Sequence, residues 1–445
     1  MIQPSSMLTK LSKLPIEALS IENRFTIHRD CELTAANFML GFFIMVSKGS
    51  NTLKEWSIEV SKQSKRLFSN SAINAKLQYR HIALFKSFLA YILSKQVQQL
   101  DINPSLEQKH LAPFSRVLLE DSMCFSLPKN LATIFPGSHS SKGPVATGRI
   151  QYRMDLKSGQ TTHLELQSFR DNDQKFAPHI LHTLKKGDLV IRDLGYWVLS
   201  VFRLIQFMEA FFLSRYRYGN NVYDAETEQR IHLAKELKKA KKKGQTIVEK
   251  QVLVGRVDKV PMRLVAIRVP QQVEQQRRRK VLKDRNKRLN HSEDYMDLLA
   301  WTIFVTNVSE QVWTPQQILH VYGYRWRIEI IFKAWKSQLN FEKLFNSKKH
   351  LTPPRAIISI YLLLCWITLF FVKFYIFFFQ QVVLLKDRFV SILKFANFFK
   401  DHFEQLLGCP DWDFYIDLVA KHCTYDKRKI PNFCQQLYLL NQSFT

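Results

Sequence analysis

The sequence lacks paired cysteines. Its six, Cys31, Cys124, Cys365, Cys409, Cys423 and Cys434, include no two at two-residue spacing, so a structural zinc site is not expected, although His422 with Cys423 and Cys434 could supply partial ligands. The first residues also lack an uninterrupted apolar run fit to be a signal peptide. Together these absences point to a reduced, cytoplasmic compartment. Acidic residues are scarce beside basic ones, 38 Asp+Glu against 65 Lys+Arg, a formal net charge of +27. That excess goes far beyond what solubility needs and marks a surface for a polyanion, either nucleic acid or an anionic membrane. A small-molecule substrate would not require it. With 46% hydrophobic and 13% aromatic residues in 445, disorder is excluded and two or three domains are expected.

Along the chain the texture changes four times. Residues 1–110 carry helical periodicity, with apolar stretches Ala35 to Val46 and Leu53 to Val60. A Ser69-Asn70-Ser71 cluster then opens a short segment to Leu77 that is compatible with a helix-turn-helix. Residues 111–215 read as strands followed by a helix: the buried run Val117 to Phe125, a hairpin from Gly148 through the Lys157–Gln160 turn to Leu166, and the short run Asp188 to Asp193. Three neighbouring strands, a fourth and then helices make a mixed α/β layer. Residues 216–295 look like a basic insertion that is β-rich from Thr246 to Val269, with runs at Lys238–Lys243 and Arg277–Lys280 that are either solvated or track phosphates. Residues 296–345 return to core texture with the strand Trp301 to Thr306. Residues 346–445 read as helical, and the uncharged stretch Ala356 to Val372 with Phe374 to Phe379 fits a buried helix or dimer interface better than a membrane span.

The chemistry concentrates after Thr314. Thr314, Pro315 and Gln317 form an N-cap, a first-position proline and a capping box. On the helix they open, Arg325, Glu329 and Lys336 recur at spacings of four and seven, so they share one face, and Tyr322 joins them if the helix is continuous. The neighbouring face, Ile328, Phe332, Trp335 and Leu339, is apolar and suited to dock on the sheet. Asp121 follows one buried apolar run and Asp193 ends another, which places both at a sheet rim that Glu329 can approach. Three such carboxylates match the number and hardness of ligands that Mg²⁺ takes for phosphoryl transfer. Glu120 is turned to the face opposite Asp121 by strand alternation and reads as structural, as does Asp188.

With these residues the sequence resembles the cut-and-paste insertion-sequence transposases of the DDE type whose hallmark is a Tyr-Arg-Glu-Lys signature. Tyr322, Arg325, Glu329 and Lys336 within YGYRWRIEIIFKAWK supply the signature. DSMCFSLP at Asp121 and RDLGYW at Asp193 look like the first- and second-aspartate segments. The likeness spans about residues 25–345 and is strongest at 320–340. It implies an RNase H-like catalytic core, a mixed sheet flanked by helices, carrying a β-rich insertion between an N-terminal all-helical DNA-binding domain and a C-terminal helical region. It implies Asp121, Asp193 and Glu329 as ligands of two Mg²⁺ ions, with Mn²⁺ able to substitute. Tyr322, Arg325 and Lys336 are then contacts to transposon-end DNA, and Trp301 and Trp326 the aromatic faces that receive an extruded base. Double-stranded DNA, both transposon ends and target, is the expected partner, with a homodimer in the synaptic complex and a nucleoid-associated location. Two other readings compete: a transposase-derived DNA-binding protein that has lost catalysis, and a basic membrane-associated protein anchored by Ala356 to Phe379.

Overall fold

The computed structural model describes residues 14–26, 32–96, 109–138, 141, 143–283, 292–346, 351–408 and 411–425. Before residue 97 these residues are helical. Helices Ala35–Ser47, Leu53–Ser64 and Asn70–Ala75 each begin at a hydroxyl cap, where Thr34, Thr52 and Ser69 accept from the backbone N–H of Asn37, Glu55 and Ala72. Phe25, Phe38, Trp56 and Phe85 form their aromatic centre, fixed by the Trp56 indole donating to the Phe38 carbonyl at 2.9 Å.

A ten-stranded sheet follows: β1 Val117–Leu127, β2 Ala146–Asp155, β3 Thr161–Ser168, β4 Leu189–Arg192, β5 Phe211–Arg215, β6 Val222–Asp224, β7 Arg230–Ile231, β8 Ile247–Val254, β9 Val260–Arg268 and β10 Trp301–Thr306. Their spatial order is β3-β2-β1-β4-β5-β10-β9-β8-β6-β7. Only β1–β4 and β4–β5 pair in parallel. The strand β4, Leu-Val-Ile-Arg, is buried along its whole length, as expected of a central parallel strand covered on both faces. The strands of 216–295 form no separate sheet. β9 pairs with β10 from Trp301↔Arg268 to Thr306↔Arg263, so the segment lengthens the central sheet.

Strand alternation divides the interior in two. Leu119, Met123, Phe125, Ile191 and Leu213 enter a large core shared with the N- and C-terminal helices, whereas Leu118, Val190, Phe212 and Trp301 enter a second core with Phe202, Ile205 and Leu237. The apolar stretch after residue 350 is one helix, Pro353–Lys386, with a π turn at Ile367–Phe371. It is long and apolar enough to cross a membrane, but 67% of its most apolar window is buried inside the fold, against helices such as Ile392–Asp401 and Trp412–His422.

Candidate active site

Parallel pairing of β1 with β4 ends at Glu120↔Arg192. The next residues, Asp121 and Asp193, therefore emerge side by side at the carboxyl end of the parallel pair, where open α/β sheets characteristically present their ligands. Glu329 arrives from the helix Trp326–Lys333. The preceding helix, Pro315–Gly323, starts at the capping box expected of Thr314 and Gln317. Trp326–Lys333 is seated by Ile328 and Phe332, and Trp335 follows them. The rings of Phe332 and Trp335 stand 5.8 and 5.2 Å from that of Tyr152 on β2.

What joins the three acids is Arg325. Its Nη2 donates to Glu329 Oε1 at 2.5 Å, its Nη1 lies 3.3 Å from Asp121 Oδ2, and its Nε lies 3.8 Å from Asp193 Oδ1. The guanidinium is buried and packs over the rings of Trp326 and Tyr322 at 5.5 and 5.9 Å. Three carboxylates thus share one cation. Burial pushes the Asp121 carboxyl up to about 7, and the nearby Asp193 and Asp173 charges add to that, against the opposing pull of the Ser122 N–H and Arg325. The donors are hard oxygens short of positive charge, which suits divalent ions. Among the described residues, no three acidic, histidine or cysteine side chains lie close enough to grip an ion as they stand. The guanidinium occupies the middle.

The other expected site residues are spread more widely. Tyr322 is buried; its hydroxyl lies 3.5 Å from the Arg192 carbonyl as donor, and burial pushes its pKa up to about 12. Lys336 falls in a π turn, Ala334–Gln338, which widens the helix and breaks the simple seven-residue alignment with Glu329; its ammonium lies 3.9 Å from Glu342, not at the acids. Trp326 is 52% exposed beside the acids. Trp301, expected at the DNA, is 2% exposed in the second core, because it opens β10 on the face that packs on the Phe202 side. In this arrangement it offers no surface for a base. Of the zinc suggestion, Cys423 is buried and Cys434 lies outside the described residues.

Sequence reasoning missed the supports behind the acids. Glu120 is fully buried between Arg153 and Arg192, at 2.5 and 2.7 Å. Burial alone would raise its pKa, but the two guanidinium groups outweigh that and hold its carboxyl below the usual carboxylate range. Asp173 accepts from Arg149 and Gln151 at 2.5 and 3.2 Å, while Arg149 also donates to Ser122, next to Asp121. A Cβ at Gly195 would fall 2.7 Å from Asp173 Oδ2, so the glycine of RDLG lets the chain after Asp193 pass this carboxylate. That glycine was the one available signal of a close neighbour.

A family model described as "Transposase DDE domain" matches residues 112–351. The transposase for insertion sequence element IS231B of Bacillus thuringiensis subsp. berliner is 29% identical over 325 residues, covering 69% of this chain and 67% of its own. The transposase for IS231E of Bacillus thuringiensis subsp. finitimus is 28% identical, covering 76% of this chain and 72% of its own. That for IS1151 of Clostridium perfringens is 24% identical, with 72% and 70% covered. A solved structure, a piggyBac transposase synaptic complex with hairpin DNA, covers 98% of this chain and 88% of its own at 9% identity and a TM-score of 0.40, a likeness too loose to carry an argument.

Proposed function

Because the chain belongs to the DDE-domain transposase family and is a DNA transposase of the insertion-sequence type, we propose that it binds the terminal inverted repeats of its element, cleaves the ends and joins them to target DNA. The carrying observation is the convergence of Asp121, Asp193 and Glu329 on one guanidinium at the end of the β1–β4 pair. These three carboxylates would hold two divalent ions, Mg²⁺ with Mn²⁺ able to substitute. When bound, such ions supply activation of the attacking oxygen and stabilisation of the leaving one.

The chain's own residues prepare that reaction. Asp121 sits on β1 where its pairing with β4 stops and Asp193 just past the end of β4, so the sheet fixes their separation, and Glu329 is set by the docked helix. Arg325 keeps the three together and exchanges its carboxylates for a DNA phosphate as the site fills. Lys336 and Tyr322 complete the Tyr-Arg-Glu-Lys signature. Lys336 lies on the surface side for a backbone contact, whereas Tyr322 acts from within by bracing the strand end at Arg192. The RNase H-like reading of the core is supported by the order β3-β2-β1-β4-β5, antiparallel through β1 and parallel beyond it. It goes with a helical DNA-binding domain at 1–110, core segments at 111–215 and 296–345, an insertion at 216–295 and a helical region at 346–445 that offers a dimer interface. Work on duplex DNA as a homodimer, in the cytoplasm at the nucleoid, completes the reading. The intact acids favour it over a binding protein without catalysis.

A duplex carrying the element's end, incubated with the protein and Mg²⁺, should be cut at the end, with cutting stopped by EDTA and restored by Mn²⁺. Binding of the end without any cleavage in either metal would leave the catalytic part untenable.

A further inference from the structure

The basic residues of 216–295 divide into two sets on the helices Leu233–Lys242 and Gln271–Leu282. One set is spent on the fold. Lys238 pairs with Asp297 at 2.9 Å, and Lys241 with Glu274 at 2.6 Å. Arg278 pairs with the same Glu274 at 3.2 Å, and Arg277 donates to the carbonyls of Leu299 and Trp301 and to the Thr302 hydroxyl. These contacts stitch the two helices side by side and to the start of β10. They also consume the local acids: Glu274 and Asp297 are taken here, Glu236 pairs with Lys250, and Asp294 with His232. Glu293, beside Lys238, has no ion pair among the described residues, and neither do Asp224 and Glu226 in the turn before these helices.

The second set faces away. Lys235, Lys239 and Lys242 recur at spacings of four and three, opposite the buried Leu233, Leu237 and Ala240, so they form one row along the outer face. Arg279 and Lys280 are exposed on the neighbouring helix with Gln272 and Gln276, and Lys283 is exposed at its C-cap. None of these six cations has an ion-pair partner among the described residues. Charge left unneutralised this way raises the local potential and serves a polyanion.

We propose that this two-helix ridge is a docking surface for duplex DNA, gripping the phosphate backbone without reading sequence, and so serving DNA outside the inverted repeats. The proposal rests on the DNA-transposase reading. Five of the six cations are lysines, mobile point charges lacking the planar fork that the single arginine, Arg279, carries, and the glutamines beside them offer amide donors to phosphate oxygens. The lysine row spans about 10 Å of helix, over which a duplex presents roughly six phosphate charges.

The test is the salt dependence of binding to a random-sequence duplex, compared with a duplex bearing the element's end. Lys235→Gln/Lys239→Gln/Lys242→Gln removes the outer row at exposed helix positions where Gln is an equally good helix former. It should lower the log–log salt slope on random duplex by about two to three and weaken binding there on the order of 100-fold at 0.1 M salt. Lys238→Gln/Lys241→Gln, which removes comparable charge from the stitched set, should leave that slope within about one unit. An unchanged slope in the triple variant overturns the ridge, as does an equal drop in the double variant. A loss confined to anionic phospholipid vesicles overturns it in favour of a membrane surface. Continued cleavage of end duplex alongside any of these outcomes means that the ridge alone has failed. If the wild type binds no duplex at all, the transposase reading fails first.

Discussion

Glu120 and Asp121 are adjacent on β1, yet they belong to charge clusters of opposite balance. Behind the sheet, Glu120 is shared by Arg153 and Arg192, one acid to two cations, all three almost wholly buried. At the rim, Asp121, Asp193 and Glu329 share Arg325, three acids to one cation, with Asp193 and Glu329 well exposed. The first cluster is closed: removing one partner strands a charge with no water to receive it. The second is short of positive charge and open to solvent, so it can exchange its cation for others. Strand alternation alone separates the two, which makes β1 both a structural rod and, on the proposed function, a mount for chemistry.

The largest expected effect tests the open cluster. Glu329→Gln keeps the shape of the side chain but removes charge from an acid that is already over a third exposed. Cleavage of end duplex should fall at least ~1000-fold, equivalent to about 4 kcal/mol of barrier, with DNA affinity and the urea midpoint nearly unchanged. Cleavage at wild-type rate would remove Glu329 from the site.

The converse variant, Glu120→Gln, should cost about 3–5 kcal/mol of stability by leaving two buried guanidinium groups without a counter-charge, read as a lower urea midpoint. Trp301→Ala belongs beside it at about 3–5 kcal/mol, because that ring fills the second core. If Glu120→Gln folded as well as wild type but failed to cleave, the distinction between the clusters would collapse.

Local features of this contrast were legible in the sequence. The Thr314–Gln317 capping box, the strands leading to both aspartates, the apolar face of the Glu329 helix and the opposite facing of Glu120 and Asp121 all follow from spacing over a few residues. What escaped depends on distant pairing. Arg153 meets Glu120 only because β2 lies against β1, and Lys241 meets Glu274 across a hairpin. No periodicity assigns such partners, so the lysine run read as uniformly solvated or uniformly phosphate-tracking when it is divided between lysines paired into the fold, Lys238 and Lys241, and lysines exposed on the outer face, Lys239 and Lys242. The π turn at Ala334–Gln338 likewise lies outside a reading at 100° per residue, and it displaced Lys336 from the expected wedge.

A third, smaller effect sharpens the comparison through pH. Asp121 is pushed up to about 7 from 3.8, chiefly by burial, so folding favours its protonated form. Its contribution to stability is complete below about pH 4 and is lost as the pH rises through 7. The metal-free protein should therefore lose up to ~1.4 kcal/mol per pH unit across that window from this group, and Asp121→Asn should flatten the profile. Added Mg²⁺ should restore stability most at the alkaline end, where the carboxylate is free to receive it. Glu120, held low by its two arginines, contributes the opposite slope only in acid, but burial pushes His110 down to about 4 and lowers His81, and both oppose Asp121 up to about pH 6.5, so the difference between wild type and Asp121→Asn, not the raw profile, reports the rim. A profile that Asp121→Asn leaves unaltered would mean another group governs it.

The smallest effect falls at the edge of the open cluster. Trp326 is half exposed and lies 5.5 Å from the Arg325 guanidinium, an arrangement worth ~0.5–1 kcal/mol at a surface. Trp326→Ala should change the urea midpoint by no more than that, since no core void is made. If the exposed face receives an extruded base, the variant should also lose about 1 kcal/mol of affinity, roughly fivefold, on an end duplex with an unpaired base at the cleavage site. A fully paired duplex, which offers no free base, should bind as before. Trp326→Phe should retain most of the preference, because a phenyl ring still stacks. Equal weakening on both duplexes would show that the ring only positions Arg325, and the aromatic platform would then have to be sought elsewhere on the rim.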